Sequence, residues 1–199
     1  MPSQKPALAL DLDDVLKETC AALCRFHNAH FGTNHTPEKM PSFNLDISWD
    51  CTSEETARRL DLFFRSEHHT EATPMEGALE ALQILAEHYE LHIVTARPEV
   101  VRNMTAAWVN RHYPRLFTHM HFLSAHHLDH NSRPKSDICR AIGARVFIDD
   151  GVHNVKDVFE KLGIVTLIFT QPLNFGWEMP KGMLRVNNWG EILDHLVPN

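Results

Sequence analysis

The chain has 199 residues, 43% hydrophobic and 23% charged, with a formal net charge of −7. That length holds one α/β domain with a modest insertion, and it is too long for a single small module. The acidic balance and the lack of any Lys/Arg block exclude long-range attraction to a nucleic-acid polymer, while leaving room for a small anion drawn into one cleft by local cations or a metal.

In chain order, the opening MPSQKPALALDLDD carries no apolar run long enough for a secretory signal. No later stretch approaches the length of a membrane span, so a cytoplasmic protein without a membrane partner is the expectation. Ala7–Leu10 is a continuous apolar run, the mark of a strand buried on both faces. Residues from about 17 to 72 then hold helical patterns but no convincing strand. Leu16, Cys20, Leu23, Cys24 and Phe26 form the first pattern, and an irregular aromatic-bearing stretch, MPSFNLDISWD, follows it. Another helix is predicted from about Ser53, where Ser53-Glu54-Glu55 resembles a capping start. Beyond it, the runs Leu91–Val94, Met120–Leu123, Val146–Ile148 and Ile164–Phe169 read as further buried strands. Between them lie the helical repeats Leu79/Leu82/Leu85/Ala86, Val101/Met104/Trp108 and Val155/Val158/Phe159/Leu162. Pro98 suits a first helical position, and Gly143 and Gly163 suit left-handed caps.

Alternation of this kind predicts an α/β fold, a doubly wound parallel sheet with a small helical insertion after the first strand. Four cysteines (Cys20, Cys24, Cys51 and Cys139) form no CxxC pair and read as reduced, packed thiols. Histidines cluster at His68–His69 and at His126, His127 and His130, without the cysteine partners or spacing of a transition-metal motif.

In open parallel sheets, ligands bind outside the carboxyl ends of the strands. The first strand ends in Asp11, with Asp13 two residues on. The run LHIV ends in Thr95, followed by Ala96 and Arg97, and the run VFI ends in Asp149 and Asp150. Three strand ends thus bring four carboxylates and a hydroxyl to one region, where like charges raise each other's pKa unless a cation lies among them. All-oxygen ligation favours Mg²⁺. Lys135 opens a helical run, where its charge opposes the macrodipole unless it serves a nearby anion.

ALALDLDDVL, HIVTARP, RPKSD and VFIDDG resemble, in order, the four motifs of the haloacid dehalogenase (HAD) superfamily. The resemblance implies a Rossmann-like core at 1–16 and 74–199, with a helical cap at 17–73. It implies an Mg²⁺-dependent phosphatase in which Asp11 is the nucleophile, Asp13 the general acid/base, and Thr95 and Lys135 the holders of the phosphoryl oxygens. The metal would be held by Asp11, Asp149, Asp150 and the Asp13 backbone carbonyl. Further, LFFRSEHHTEATPMEGALEALQILA and RVNNWGEIL are similar to the 5′-deoxyribonucleotidase branch, although Thr95-Ala96-Arg97-Pro98 stands where that branch has Thr-Ser-Pro. That likeness implies a nucleoside monophosphate substrate, with Phe43 and Trp49 as base-stacking or cap-core residues, Ala96 near the substrate, and Arg97 either contacting the substrate or pairing with an acidic neighbour. A sugar phosphate or phosphoglycolate remains the alternative ester, and a non-catalytic binding protein the alternative class.

Overall fold

The computed structural model describes residues 5–124 and 133–197, so His126, His127 and His130 fall outside the described residues. Along the chain, β1 (Ala7–Leu10) is followed by α1 (Thr19–Phe31), α2 (Leu45–Ser48), α3 (Ser53–Phe64), α4 (Glu67–Thr70) and α5 (Ala78–His88). Then come β2 (Glu90–Pro98), α6 (Arg102–His112), β3 (His119–Ser124), α7 (Lys135–Ala141) and β4 (Ala144–Asp149). The chain continues with α8 (Val152–Leu162), β5 (Val165–Phe169), β6 (Leu184–Val186) and α9 (Trp189–Leu196). The strands form one parallel sheet in the order β3-β2-β1-β4-β5-β6.

Strand alternation explains why β1 and β4 read as unbroken apolar runs. Leu8, Leu10, Leu91, Ile93, Val146 and Ile148 point to one face, where they pack with Leu82 and Leu85 of α5, Trp108 of α6 and Ile192 of α9. Ala9, Val94, Phe147 and Ile168 point to the other, against Cys139 of α7 and Val155 and Val158 of α8. Both faces are covered, which is the doubly wound arrangement expected from the sequence. Gly163 takes the left-handed conformation (φ 61°) and its N–H closes α8 on the Phe159 carbonyl.

Local departures have local causes. Pro98 does not open a helix: it ends β2 in extended conformation (ψ 151°), and a 3-10 turn at Glu99–Val101 precedes α6. The cap of α3 is Thr52, one residue before the expected Ser53, with its hydroxyl accepting the Glu55 N–H at 3.3 Å. Strand β6 went unpredicted because three residues are too few to show a period.

The helices between β1 and α5 gather around Ala22, Leu23, Phe26, Trp49, Phe63 and Phe64, with Val101 at their base. The chain enters and leaves this segment side by side: Lys17 pairs antiparallel with Pro74, and the Glu18 N–H donates to the Thr73 carbonyl at 3.0 Å. Three side chains brace the loop after β1 by its carbonyls. Gln171 donates to Asp14 (2.6 Å), Trp189 to Val15 (3.2 Å) and Tyr113 to Leu16 (2.6 Å). Among the described residues, no helix is long and apolar enough to cross a membrane.

Candidate active site

The sheet order reverses direction between β1 and β4, and the crevice at their carboxyl ends is where a doubly wound sheet binds its ligand. The Asp11 N–H continues the ladder onto the Ile148 carbonyl (2.9 Å), which fixes Asp11 beside the end of β4. Carboxylate oxygens of Asp11, Asp149 and Asp150 converge to within 4.8 Å of one another, all three residues buried. Lys135, the first residue of α7, reaches across the crevice, its Nζ lying 2.8 Å from Asp11 Oδ1 and 2.7 Å from Asp149 Oδ2. Asp149 is held further by the Gly151 N–H (2.7 Å) and by Asn154 Nδ2 (3.1 Å), and Asp11 Oδ1 accepts the Leu12 N–H (2.7 Å).

Burial penalises every charge here. It raises Asp11 to about 7, with Asp149 and Asp13 adding to the rise against the attraction of Lys135. Asp150 is raised well above the usual carboxylate range by burial and then by Asp14, Asp149 and Asp11. Asp14, raised to about 8 chiefly by burial, is a member of the site that the sequence reading passed over. Burial alone would neutralise Lys135, but Asp11 and Asp149 reverse this and hold it charged. Once ionised, five carboxylates face Lys135 and Arg97, a negative balance that a divalent cation would satisfy. Buried, all-oxygen and lacking sulfur, the Asp11/Asp149/Asp150 group fits Mg²⁺ in its donor chemistry.

Asp13 stands apart from that group. Its carboxylate is gripped by Arg97, with Nη2 at 2.6 Å from Oδ1 and Nε at 3.0 Å from Oδ2, and it accepts the Thr19 hydroxyl at 2.5 Å. Burial works against its charge, but Arg97 overcomes this and brings Asp13 down to about 2. The remaining nitrogen of Arg97, Nη1, meets His69 Nε2 (3.0 Å) and the Thr105 hydroxyl (3.1 Å). The structure shows Arg97 paired with an acidic neighbour, Asp13, and also places it in the wall of the adjoining cavity. A β-bulge aims it there. Thr95 pairs with Phe122 and Pro98 with Ser124, so β2 spends three residues where β3 uses two. The extra residue leaves Ala96 exposed and buries Arg97, and Thr95 Oγ1 accepts the Arg97 N–H at 3.2 Å.

A cavity of about 370 Å³ opens from these carboxylates toward the helical segment. Asp11, Asp13 and Asp150 line its floor, Ala96 and Arg97 one side, and Leu23, Met40, Phe43, Phe63 and Phe64 its roof. Phe43 is in place to meet a bound molecule. Trp49 is not: only 6% exposed, it stacks on His27 (ring centroids 4.8 Å apart, planes at 19°) within the helical segment's own core. Of the two roles weighed for Trp49, the geometry gives it the core role.

A family model described as "5′ nucleotidase, deoxy (Pyrimidine), cytosolic type C protein" matches residues 5–198. The candidate nucleotidase YqfW of Bacillus subtilis is 26% identical over 174 residues, covering 79% of this chain and 83% of its own. Among solved structures, a haloacid dehalogenase-like hydrolase from Streptococcus pneumoniae, SP0104, superposes with a TM-score of 0.65 at 16% identity, covering 98% of this chain and 99% of that one. The candidate HAD hydrolase YfnB of Bacillus subtilis, solved bound to magnesium, gives 0.63 at 13% identity, covering 98% and 99%.

Proposed function

We propose, because the chain belongs to the cytosolic type C 5′(deoxy)nucleotidase family of HAD phosphatases, that it hydrolyses nucleoside monophosphates by way of an aspartyl-phosphate on Asp11. The observation that carries the substrate class is the cavity. It joins the buried carboxylates to an apolar roof that includes the half-exposed ring of Phe43, so one molecule can present a phosphate to one end and a base to the other. Residues 17–73 act in this reading as the cap that selects the ester, and 1–16 with 74–199 as the domain that carries the chemistry.

The chemistry divides among named groups. An Asp11 carboxylate oxygen attacks phosphorus and the bond to the leaving oxygen breaks, with Asp13 delivering a proton to that oxygen. Water then attacks the same phosphorus, the bond to Asp11 breaks, and Asp13 takes the water's proton. The Arg97 grip favours ionised Asp13, the form that accepts that proton; the proton it delivers in the first step is one it takes over from a substrate bound as the monoanion. Lys135 and the Thr95 hydroxyl balance charge on the phosphoryl oxygens. Mg²⁺ held by Asp11, Asp149 and Asp150 would supply the remaining positive charge.

Chelation with EDTA is expected to stop turnover, and Mg²⁺ is expected to stabilise the protein more at high pH than at low. Asp11 sits near 7 in the metal-free native state against an ordinary 3.8. Between those values the native chain keeps a proton that the unfolded chain has lost, so this group makes metal-free stability fall as pH rises. Mg²⁺ displaces that proton. The rise in Tm with saturating Mg²⁺ should therefore be larger at pH 8 than at pH 5.5; an equal or smaller rise at pH 8 contradicts the metal assignment.

The substrate reading is tested at Phe43 and Trp49 together. Phe43→Ala is expected to lower kcat/KM for a nucleoside monophosphate by about 1–3 kcal/mol, the range for base–aromatic stacking. Its turnover of p-nitrophenyl phosphate and its Tm should stay near those of the parent. Trp49→Ala should instead cost about 3–5 kcal/mol of stability, as large-to-small core changes do, and affect both substrates alike. Equal losses on both substrates in Phe43→Ala would leave a phosphatase without the nucleotide specificity.

A further inference from the structure

Away from the carboxylates, three imidazoles meet near the opposite ends of the strands. His92 on β2 is paired in register with His119 on the edge strand β3, and His121 lies two residues further along the same face of β3. Alternation puts His92 on the face of Val94, the side packed by α7 and α8. His92 Nδ1 and His121 Nε2 stand 3.3 Å apart. Ring centroids are 5.5 Å apart for His92 and His121, 5.6 Å for His92 and His119, and 6.1 Å for His119 and His121.

From these distances we infer a second metal site, a three-histidine centre for Zn²⁺ or a like borderline divalent ion, formed by His92, His119 and His121. Tetrahedral Zn²⁺ binds imidazole nitrogen at about 2.0–2.1 Å, which places two such nitrogens about 3.3 Å apart and two such ring centroids about 5.2 Å apart. The His92–His121 nitrogen pair already has that spacing. The three rings exceed the centroid figure by less than 1 Å; nitrogens of all three do not yet lie within 4.8 Å of one another, so the exposed His119 ring has to turn toward the His92–His121 pair to complete the site.

A separate observation concerns the other nitrogen of His92. A histidine that ligates a metal commonly gives its second ring N–H to a carboxylate, which fixes tautomer and orientation. Glu90 Oε1 lies 3.6 Å from His92 Nε2, on the side away from His121. This leaves Nδ1 as the ligating atom. Burial lowers the pKa of both His92 and His121, so neutral imidazoles are present at neutral pH. Imidazole ligands disfavour Mg²⁺, and carboxylates with water favour it, so the two sites take different ions. A metal here would tie the edge strand β3 to β2.

The test uses the whole protein in excess Mg²⁺, with Co²⁺ as a visible stand-in for Zn²⁺. One equivalent of Co²⁺ is expected to give the intense absorption of a tetrahedral site, and Zn²⁺ to abolish it stoichiometrically. His121→Gln and His119→Gln should each weaken Zn²⁺ binding tenfold or more; His119 is exposed, so that variant tests the site even where changes at buried His92 disturb folding. Replacing His126, His127 and His130 together should leave the signal unchanged. Absence of a tetrahedral spectrum in the parent, its survival in both single variants, or its loss in the triple variant alone would overturn the assignment. In the first case the His92–His121 contact is a hydrogen bond and nothing more.

Discussion

Asp11→Asn is expected to reduce turnover by about three orders of magnitude or more while the protein stays folded, the scale seen when a covalent nucleophile is removed. The amide is nearly the same shape as the carboxylate, and the backbone N–H of Leu12 that Asp11 now receives at 2.7 Å can bond the amide oxygen instead. What is lost is the proposed nucleophile. Stability should move the other way. Asp11 is a buried group raised to about 7 by burial and its acidic neighbours, so removing its charge relieves repulsion with Asp149 and Asp13. In metal-free buffer near pH 8, Tm is expected to hold or rise, and the gain from Mg²⁺ should shrink because one anionic ligand is gone. Retained turnover, or attachment of BeF₃⁻ to another carboxylate, would assign the nucleophile elsewhere.

Lys135→Met should damage both properties at once. The ammonium is 2.8 Å from Asp11 and 2.7 Å from Asp149, with its own side chain 1% exposed. Methionine keeps the length of the stem and leaves the two carboxylates facing each other without it. Removing one partner from a buried ion pair costs about 3–5 kcal/mol. Loss of a charge aimed at the phosphoryl oxygens costs about 10²–10³ in kcat. Mg²⁺ should restore much of the stability, because it supplies positive charge to the same carboxylates, but little of the rate. Recovery of both by Mg²⁺ would mean that Lys135 serves only to balance charge in the metal-free protein.

The carboxylates were legible from the sequence because each stands at the end of a short apolar run, and such runs in a doubly wound sheet end at one edge. Asp11, Asp149 and Asp150 needed nothing more than strand order to be brought together. Arg97 was a different matter. Its partner is set by one extra residue in β2, and a bulge leaves no periodic trace in TARP. Phe43 and Trp49 lie in the same irregular stretch, so no pattern could say which faces the cavity. The short helix α2 and the left-handed turn at Asp50 (φ 48°) decide it, sending the indole toward His27. Asp14 was hidden by its neighbours: in DLDD, one more aspartate adds no signal, and its left-handed backbone (φ 55°) is a turn feature that Asp tolerates. The triad of His92, His119 and His121 depends on the parallel register of β2 with β3, which short apolar runs do not specify.

The antiparallel pairing of Lys17 with Pro74 bears on how such a protein can be rebuilt. Because the two ends of the intervening segment lie side by side, that segment is in effect a plug-in, and a short turn could join its ends without moving any strand. The Val15 and Leu16 carbonyls are anchored by Trp189 and Tyr113 on the sheet side of the junction, while Asp13 and Asp14 take the Thr19 hydroxyl and the Cys20 N–H from the first turn of the plug-in. An exchange would have to keep those bonds and repair further seams, among them the cover over Val101, the bond from the Trp108 indole to the Ala72 carbonyl and the His69–Arg97 contact. With those matched, grafting a foreign segment between residues 17 and 74 would transplant a new choice of ester onto unaltered phosphoryl chemistry.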